Sequence, residues 1–88
     1  MITYTAKVIK KVACAPCATL TRLLPSLQAK HDHVYWEVIE VKDPSELEQH
    51  GISIKSFPTT ILYNLEGVEI GRQPGALGVD TFITTYAV

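Results

Sequence analysis

Apolar positions in the first third of the chain follow a strand pattern and then a helical one. Thr3 to Lys10 is rich in β-branched residues, so we predict a strand there. Pro16 suits the first turn of a following helix, where its missing N–H does no harm. This helix should end near His31, and Pro25 should kink it or break its last turns because proline removes a backbone hydrogen bond. Its buried face is marked by leucines at helical spacing: Leu20, Leu23, Leu24 and Leu27.

The middle of the chain predicts a second strand and a short second helix. Val34 to Val41 has enough aromatic and β-branched residues to join a sheet. Asp43 can then cap a helix, with Pro44 at the first position and Glu46 at the spacing of a capping box. Gly51 suits the left-handed residue that ends such a helix.

The last third predicts a hairpin and a closing helix. We predict a strand from Thr59 to Tyr63, a turn over 64–67 and a strand from Val68 to Arg72. So short a connection permits only antiparallel pairing. Pro74-Gly75 should interrupt the chain before a helix from Val79 to Tyr86. The order is β-α-β-α-β-β-α, and a right-handed crossover makes the first two strands parallel. The sequence therefore predicts an α/β fold with a four-stranded mixed sheet and helices on both faces.

Length and composition predict one domain spanning 1–88. Of the 88 residues, 47% are hydrophobic, so one compact core is feasible. The formal net charge of −1 gives no reason to expect nucleic acid as a partner. No stretch approaches the roughly 20 apolar residues of a membrane span, and Lys7, Lys10 and Lys11 interrupt any apolar run that could serve as a signal peptide. We therefore expect a cytoplasmic monomer that binds no membrane.

Charge is unevenly distributed along the chain. From Met1 to Lys30 there are five bases and no acid, whereas 32–49 contains six acids and one base, Lys42. The simpler interpretation is two oppositely charged, solvated faces. The alternative is that the bases raise the electrostatic potential around Cys14.

The two cysteines lie in the segment Cys14-Ala15-Pro16-Cys17. A disulfide between them closes so small a loop that it hardly constrains the unfolded chain, so a structural role is unfavourable. Redox exchange needs one accessible sulfur to attack a disulfide and a second nearby to resolve the mixed disulfide. Cys14 falls just before the predicted helix, where free N–H groups stabilise a thiolate, and Cys17 falls one turn inside. We predict a redox pair with Cys14 attacking; the alternative is two small buried hydrophobes.

A zinc site formed by the cysteines with His31 and His33 is the competing interpretation. A zinc finger leaves about three to five residues between its histidines, whereas one residue separates these. The intervening helix of about 15 residues would also hold its ends about 22 Å apart. We therefore predict no metal and no cofactor, and we expect the three histidines, including His50, to be solvated surface residues.

The cysteine segment resembles the active-site motif of thioredoxins. Residues 54–59, Ile-Lys-Ser-Phe-Pro-Thr, are similar to the family segment that ends in an apolar residue, a cis proline and threonine. Residues 67–71 and 75–77 resemble the family's hairpin and the glycine before its last helix. The resemblance implies a minimal thioredoxin fold with Pro58 cis and close to the cysteine pair; without the cysteines, an ordinary proline at a strand start would be the simpler interpretation. It implies catalytic roles for Cys14, Cys17, Pro16 and Pro58, and a substrate platform of Ala13, Ala15, Phe57, Thr59 and Gly75.

Several positions depart from the family pattern. Full-length thioredoxins have an additional strand and helix before the position of Thr3. Ala13 replaces the family's tryptophan, Val8 aligns with its buried aspartate, and Ile39 lies near the position of that aspartate's lysine partner. Glutaredoxins hold glutathione with a glycine pair and an acid, which Pro74-Gly75-Ala76 does not match, so we do not expect glutathione.

The substitution at Val8 bears on the second half of the reaction. Cys17 must lose its proton to resolve a mixed disulfide, and no acid before His31 is available to accept it. We predict that solvent base accepts this proton. Resolution should then accelerate as the pH rises from about 6 toward the ordinary thiol pKa near 8.5.

Together, the dithiol and the resemblance predict a thiol–disulfide oxidoreductase that reduces protein disulfides. Its partners would be disulfide-containing proteins and an external reductase such as a thioredoxin reductase. Two alternatives remain open at this point. The chain could be a dedicated electron donor to one enzyme such as a ribonucleotide reductase, or a binding module that uses the fold without redox chemistry.

Overall fold

The strands and helices follow the order that the sequence predicts, and the α/β fold class is confirmed. The computed structural model describes residues 1–88. The strands are β1 (Tyr4–Lys11), β2 (Val34–Val41), β3 (Thr59–Asn64) and β4 (Glu69–Pro74). The helices are α1 (Ala15–Lys30), a 3-10 helix (Pro44–His50) and α2 (Val79–Tyr86).

The strands form one mixed sheet in the order β2-β1-β3-β4. β1 is parallel to β2, because α1 carries the chain back along the sheet between them. β3 is antiparallel to β1 and to β4, with which it forms the predicted hairpin. β1 is therefore a central strand, and its residues Ala6, Val8 and Ile9 are fully buried. The chain leaves the end of this strand directly into the cysteine segment.

Two apolar cores, one on each face of the sheet, hold the helices in place. On one face α1 and α2 pack together, and their leucines, Phe82 and Ile83 meet Ala6, Val8 and Leu62 of the sheet. On the other face Leu47 of the 3-10 helix packs with residues that include Ile9, Ile39, Val41 and Ile61. The prediction of helices on both faces is thus confirmed. Neither α-helix nor the 3-10 helix has the length and apolar character that crossing a membrane requires.

Helix α1 corrects two details of the sequence prediction. Of the kink or break predicted at Pro25, the break does not occur, and the helix continues to Lys30, next to its predicted end near His31. Pro25 is exposed, while Leu24 and Leu27 on either side of it are buried, so packing holds the last turns despite the lost hydrogen bond. Leu23 was expected on the buried face but is 39% exposed, because it lies at the edge of the stripe that contacts the sheet.

The second helix and the last strand also differ in detail. The helix is 3-10 rather than α, a form typical of short helical segments. Its predicted capping box is present: the Asp43 carboxylate accepts from the Ser45 N–H at 3.0 Å, and the Glu46 carboxylate accepts from the Asp43 N–H at 2.6 Å. Gly51 ends it with a φ of 66°. β4 begins one residue later than predicted and extends to Pro74, whose partner is Thr59.

The expectation of solvated histidines is wrong for His31. Its side chain is 7% exposed, and Nε2 lies 2.8 Å from Oδ1 of Asp80 at the start of α2. Lys30 donates to the other oxygen of Asp80 at 2.9 Å. These two hydrogen bonds, led by that from Lys30, hold the pKa of Asp80 below its ordinary value. His33 is also engaged, with Nε2 2.6 Å from the carbonyl oxygen of Ala87. His31 and His33 thus join the end of α1 to α2.

Candidate redox site

The cysteine segment lies where the central strand β1 turns into α1. Ala13 adopts a left-handed conformation with a φ of 56°, which costs a residue with a side chain about 1–2 kcal/mol. This conformation turns the chain sharply, so that Cys14 becomes the N-cap of α1 in an extended conformation. Pro16 occupies the first turn, as predicted. The local sequence therefore places Cys14 at the N-terminus of α1.

Cys14 and Cys17 are joined by a disulfide. The Cys17 N–H donates to Cys14 Sγ at 3.2 Å, so a free backbone donor of the first turn points at this sulfur. Cys14 is partly exposed, whereas Cys17 is only 2% exposed. The first turn contains no acidic residue that would oppose a negative sulfur. The two sulfurs thus differ in access and in backbone hydrogen bonding.

A loop from a distant part of the sequence lies against Cys14. The Phe57–Pro58 peptide bond is cis, and the Phe57 carbonyl oxygen lies 3.9 Å from Cys14 Sγ. The Gly75 N–H donates to the Pro58 carbonyl at 2.8 Å and so fixes the other side of the loop. The Phe57–Pro58 segment is therefore held between Cys14 on one side and Gly75 on the other, although all three are distant in sequence.

The predicted platform residues differ in accessibility. Ala13 and Ala15 are exposed, and Phe57 and Gly75 are partly exposed. Thr59 is 4% exposed, and its hydroxyl donates to the carbonyl of Ser56 at 2.8 Å. Thr59 therefore holds the loop from within and offers little surface to a substrate.

An ion pair on β4 anchors the same loop. The Arg72 guanidinium donates to Glu69 at 2.6 and 3.0 Å and also to the carbonyl of Ser53. The hydrogen bond from Arg72 holds the pKa of Glu69 below its ordinary value and raises the pKa of Arg72. Both groups are charged at neutral pH, and the pair ties the start of the loop to the sheet.

A groove of about 750 Å³ opens beside the disulfide on the side of α1. Both cysteines line it, together with two lysines from the end of β1, an arginine from α1 and a carboxylate from β2: Lys10, Lys11, Arg22 and Glu40. Sequence analysis placed the bases near Cys14 only as the alternative interpretation and did not assign Glu40 to the site. The alternation of side chains along β1 could have identified Lys10, because Lys10 lies two residues beyond Val8 and therefore faces the same side of the sheet.

The environment of Cys17 contains no buried carboxylate. Val8, which the resemblance to thioredoxins aligns with that family's buried aspartate, is fully buried in the apolar core. Thr21 instead donates its hydroxyl to the Cys17 carbonyl at 2.9 Å, and Lys10 Nζ donates to that hydroxyl at 3.0 Å. Glu40, paired with Lys10 in the strand register, lies 3.9 Å from Lys10 Nζ and is half-exposed. The one carboxylate in the lining of the groove thus comes from β2.

This arrangement defines a class of protein. An accessible sulfur at a helix N-terminus, a shielded second sulfur and a cis-proline loop beside them suit reversible exchange between a dithiol and a disulfide. Fold and site together are those of the dithiol–disulfide oxidoreductases built on a central mixed sheet.

Comparison with known proteins specifies the family. The chain is 38% identical over 71 residues to a thioredoxin of Chlamydia caviae, covering 80% of this chain and 67% of that protein. No family model matches the sequence. The chain belongs to the thioredoxin family. Its Cys14–Cys17 pair makes it a protein-disulfide oxidoreductase, and disulfide-containing substrates and a reductase are its general partners.

Solved structures agree on the fold. The oxidised thioredoxin of Plasmodium falciparum has a TM-score of 0.79 at 20% identity, covering 99% of this chain and 84% of that one. A thioredoxin of Fasciola hepatica has a TM-score of 0.78 at 17% identity, covering 96% and 81%. At these identities the likeness establishes the minimal thioredoxin fold alone.

Proposed function

We propose that this protein reduces disulfides of other proteins, with Cys14 as the attacking thiol and Cys17 as the resolving thiol. The difference in access between the sulfurs carries this assignment, since Cys17 is 2% exposed and Cys14 is the partly exposed N-cap. A substrate disulfide can approach Cys14 directly. Cys17 offers a substrate almost no accessible surface.

The proposed reaction transfers two electrons in two exchanges. The Cys14 thiolate attacks one sulfur of the substrate disulfide, forms a mixed disulfide and releases the other substrate sulfur as a thiolate, which takes up a proton. Cys17 then loses its proton and attacks Cys14 Sγ. This step releases the second substrate thiolate, which also takes up a proton, and leaves the Cys14–Cys17 disulfide. An external reductase, such as a thioredoxin reductase, returns two electrons and two protons to the pair.

We infer that the substrate docks on the surface around Cys14. Ala13, Ala15, Phe57 and Gly75 are accessible there and would contact the substrate chain. Pro58 would shape the loop beside Cys14, and Thr59 would hold that loop through its hydrogen bond to the Ser56 carbonyl. Pro16 would limit the movement of the two sulfurs, because its ring fixes the backbone of the first turn.

We further propose that the protein works in the cytoplasm as a monomer. The two cysteines are both in the redox pair, so no structural disulfide is present to suggest an oxidising compartment. Size-exclusion chromatography with light scattering tests the monomer, and fractionation of the source cells tests the compartment.

A trapping experiment tests the proposed roles. The Cys17→Ser variant cannot resolve, so it should accumulate mixed disulfides through Cys14 that non-reducing gels separate and mass spectrometry identifies. Cys14→Ser is the matched control and should accumulate none. Many trapped proteins would support a general reductase, whereas one dominant partner would indicate a dedicated electron donor. Trapping through Cys17 in the control, or no trapping in either variant, would contradict the assignment.

A further inference from the structure

The fold gathers positive charge on one side of the redox pair. Three of the five bases that precede residue 31 line the groove beside the cysteines: Lys10, Lys11 and Arg22. The other two point elsewhere. Lys7 lies over the ring of Tyr63 at 5.1 Å, and Lys30 pairs with Asp80. The basic segment of the sequence is therefore divided in the structure, and most of its charge faces this groove.

Little negative charge opposes these cations. Glu40 is the one carboxylate in the lining, and it pairs with Lys10. Arg22 donates to the hydroxyl of Thr19 at 3.4 Å, and Lys11 Nζ lies 5.5 Å from the centre of the Phe57 ring. Lys11 and Arg22 thus form no ion pair within the chain and remain available to an anionic ligand.

We propose that this groove binds an acidic segment of the substrate polypeptide beside its target disulfide. The inference rests on the proposed reduction of protein disulfides and adds the class of substrate. The groove is lined by both cysteines, so a chain lying in it is continuous with the segment that presents a disulfide to Cys14.

The lining favours a peptide over a nucleic acid. It contains no aromatic side chain on which a base could stack, and its apolar residues are small: Val12, Ala13, Ala15 and Ala18. An extended peptide can place carboxylates near Lys11 and Arg22 while its backbone passes over these small residues. Lys11 also contacts Phe57, so the groove is continuous with the proposed docking surface around Cys14.

The test compares two peptides with the same disulfide, one flanked by Asp and Glu and the other by Asn and Gln. Single-turnover reduction by the fully reduced protein is followed by stopped flow. The acidic peptide should react about fivefold faster or more at low ionic strength, and the preference should fall below about twofold near 0.5 M salt. Equal rates at low salt would overturn the inference. Failure to reduce either peptide would instead contradict the proposed function.

Variants assign the preference to the groove. The double variant Lys11→Gln and Arg22→Gln should bring the ratio of the two reduction rates close to one. The control double variant Lys30→Gln and Lys42→Gln removes the same charge outside the groove and should preserve the preference for the acidic peptide. The reversal Lys11→Glu with Arg22→Glu should prefer a peptide flanked by lysines, which an unfolded variant cannot do. An unchanged ratio in the first pair, or an equal loss in the second, would refute the assignment.

Competition separates a peptide site from a general anion site. An acidic peptide without cysteine should slow reduction of the acidic substrate. A single-stranded oligonucleotide of equal charge should compete at least about tenfold more weakly. Equal competition by the two would show that the groove selects charge alone and would overturn its assignment to a polypeptide.

Discussion

The two sulfurs of the reduced protein should differ in reactivity by a factor that the structure allows to be estimated. An ordinary thiol with a pKa near 8.5 is about 3% thiolate at pH 7. The Cys17 N–H points at Cys14 Sγ from 3.2 Å, and a hydrogen bond to a charged group contributes about 1.5–3 kcal/mol. The helix N-terminus adds about 0.3–1 kcal/mol. Both contacts should therefore favour the thiolate of Cys14 over that of an ordinary thiol.

Access increases the difference. Cys17 is 2% exposed, so a reagent reaches it only after local opening, and every 1.4 kcal/mol of opening free energy slows labelling about tenfold. We expect iodoacetamide at pH 7 to modify Cys14 at least about tenfold faster than Cys17, because Cys17 must first be exposed by local opening. The assay reduces the protein, removes the reductant and quantifies both modified peptides by mass spectrometry over time. The same protein in urea is the control, in which the rates should converge. Faster labelling of Cys17 in the folded protein would refute the reasoning.

Three further predictions concern stability and pH. Leu20→Ala should lower the free energy of unfolding by about 2–5 kcal/mol, because Leu20 is only 1% exposed. Leu23→Ala, at a position that is 39% exposed, should lower it far less. Unfolding in urea measures the free energy for both variants. The hydrogen bond from Lys30 is the largest cause of the lowered pKa of Asp80. The Asp80 carboxylate therefore stabilises the folded state above the unfolded pKa near 3.9, and this stabilisation is lost as the pH falls through the folded pKa. Asp80→Asn should therefore lower the unfolding midpoint at pH 7, and this effect should shrink progressively as the pH falls below about 3.9. Resolution of a mixed disulfide should accelerate from about pH 6 to 8.5, because Val8 provides no carboxylate to accept the proton of Cys17. Rapid-quench measurements give the resolution rate at each pH. A rate that does not change with pH would show that another group accepts this proton.

Local chemistry in the sequence was enough to place the redox pair. Cys14 and Cys17 lie one turn apart, and Pro16 between them marks the start of α1, so their positions on the helix follow from nearest neighbours. The same holds for the 3-10 helix, whose start depends on the side chains of Asp43 and Glu46. Such features involve residues within about one helical turn of each other and need no knowledge of the fold.

Other details depended on packing that no local pattern records. Pro25 predicts a kinked or broken helix from its own chemistry, yet the helix is not broken, because buried leucines on either side hold α1 together to Lys30. The sequence around His31 indicates a polar, solvated residue at a helix end. In the structure α2 packs against His31 and buries it beside Asp80, which lies 49 residues further along the chain. In both places a tertiary contact outweighed the local preference.

The groove illustrates what tertiary structure alone decided. Its cations lie on β1 and α1, and its carboxylate comes from β2 because the parallel register places Glu40 opposite Lys10. The sequence shows a basic segment followed by an acidic one, for which two separate solvated faces are the simpler interpretation. Strand register and helix rotation determine which side chains share a surface. Both depend on how the apolar faces of all the elements pack together, so the charge around Cys14 emerges only when the whole chain has folded.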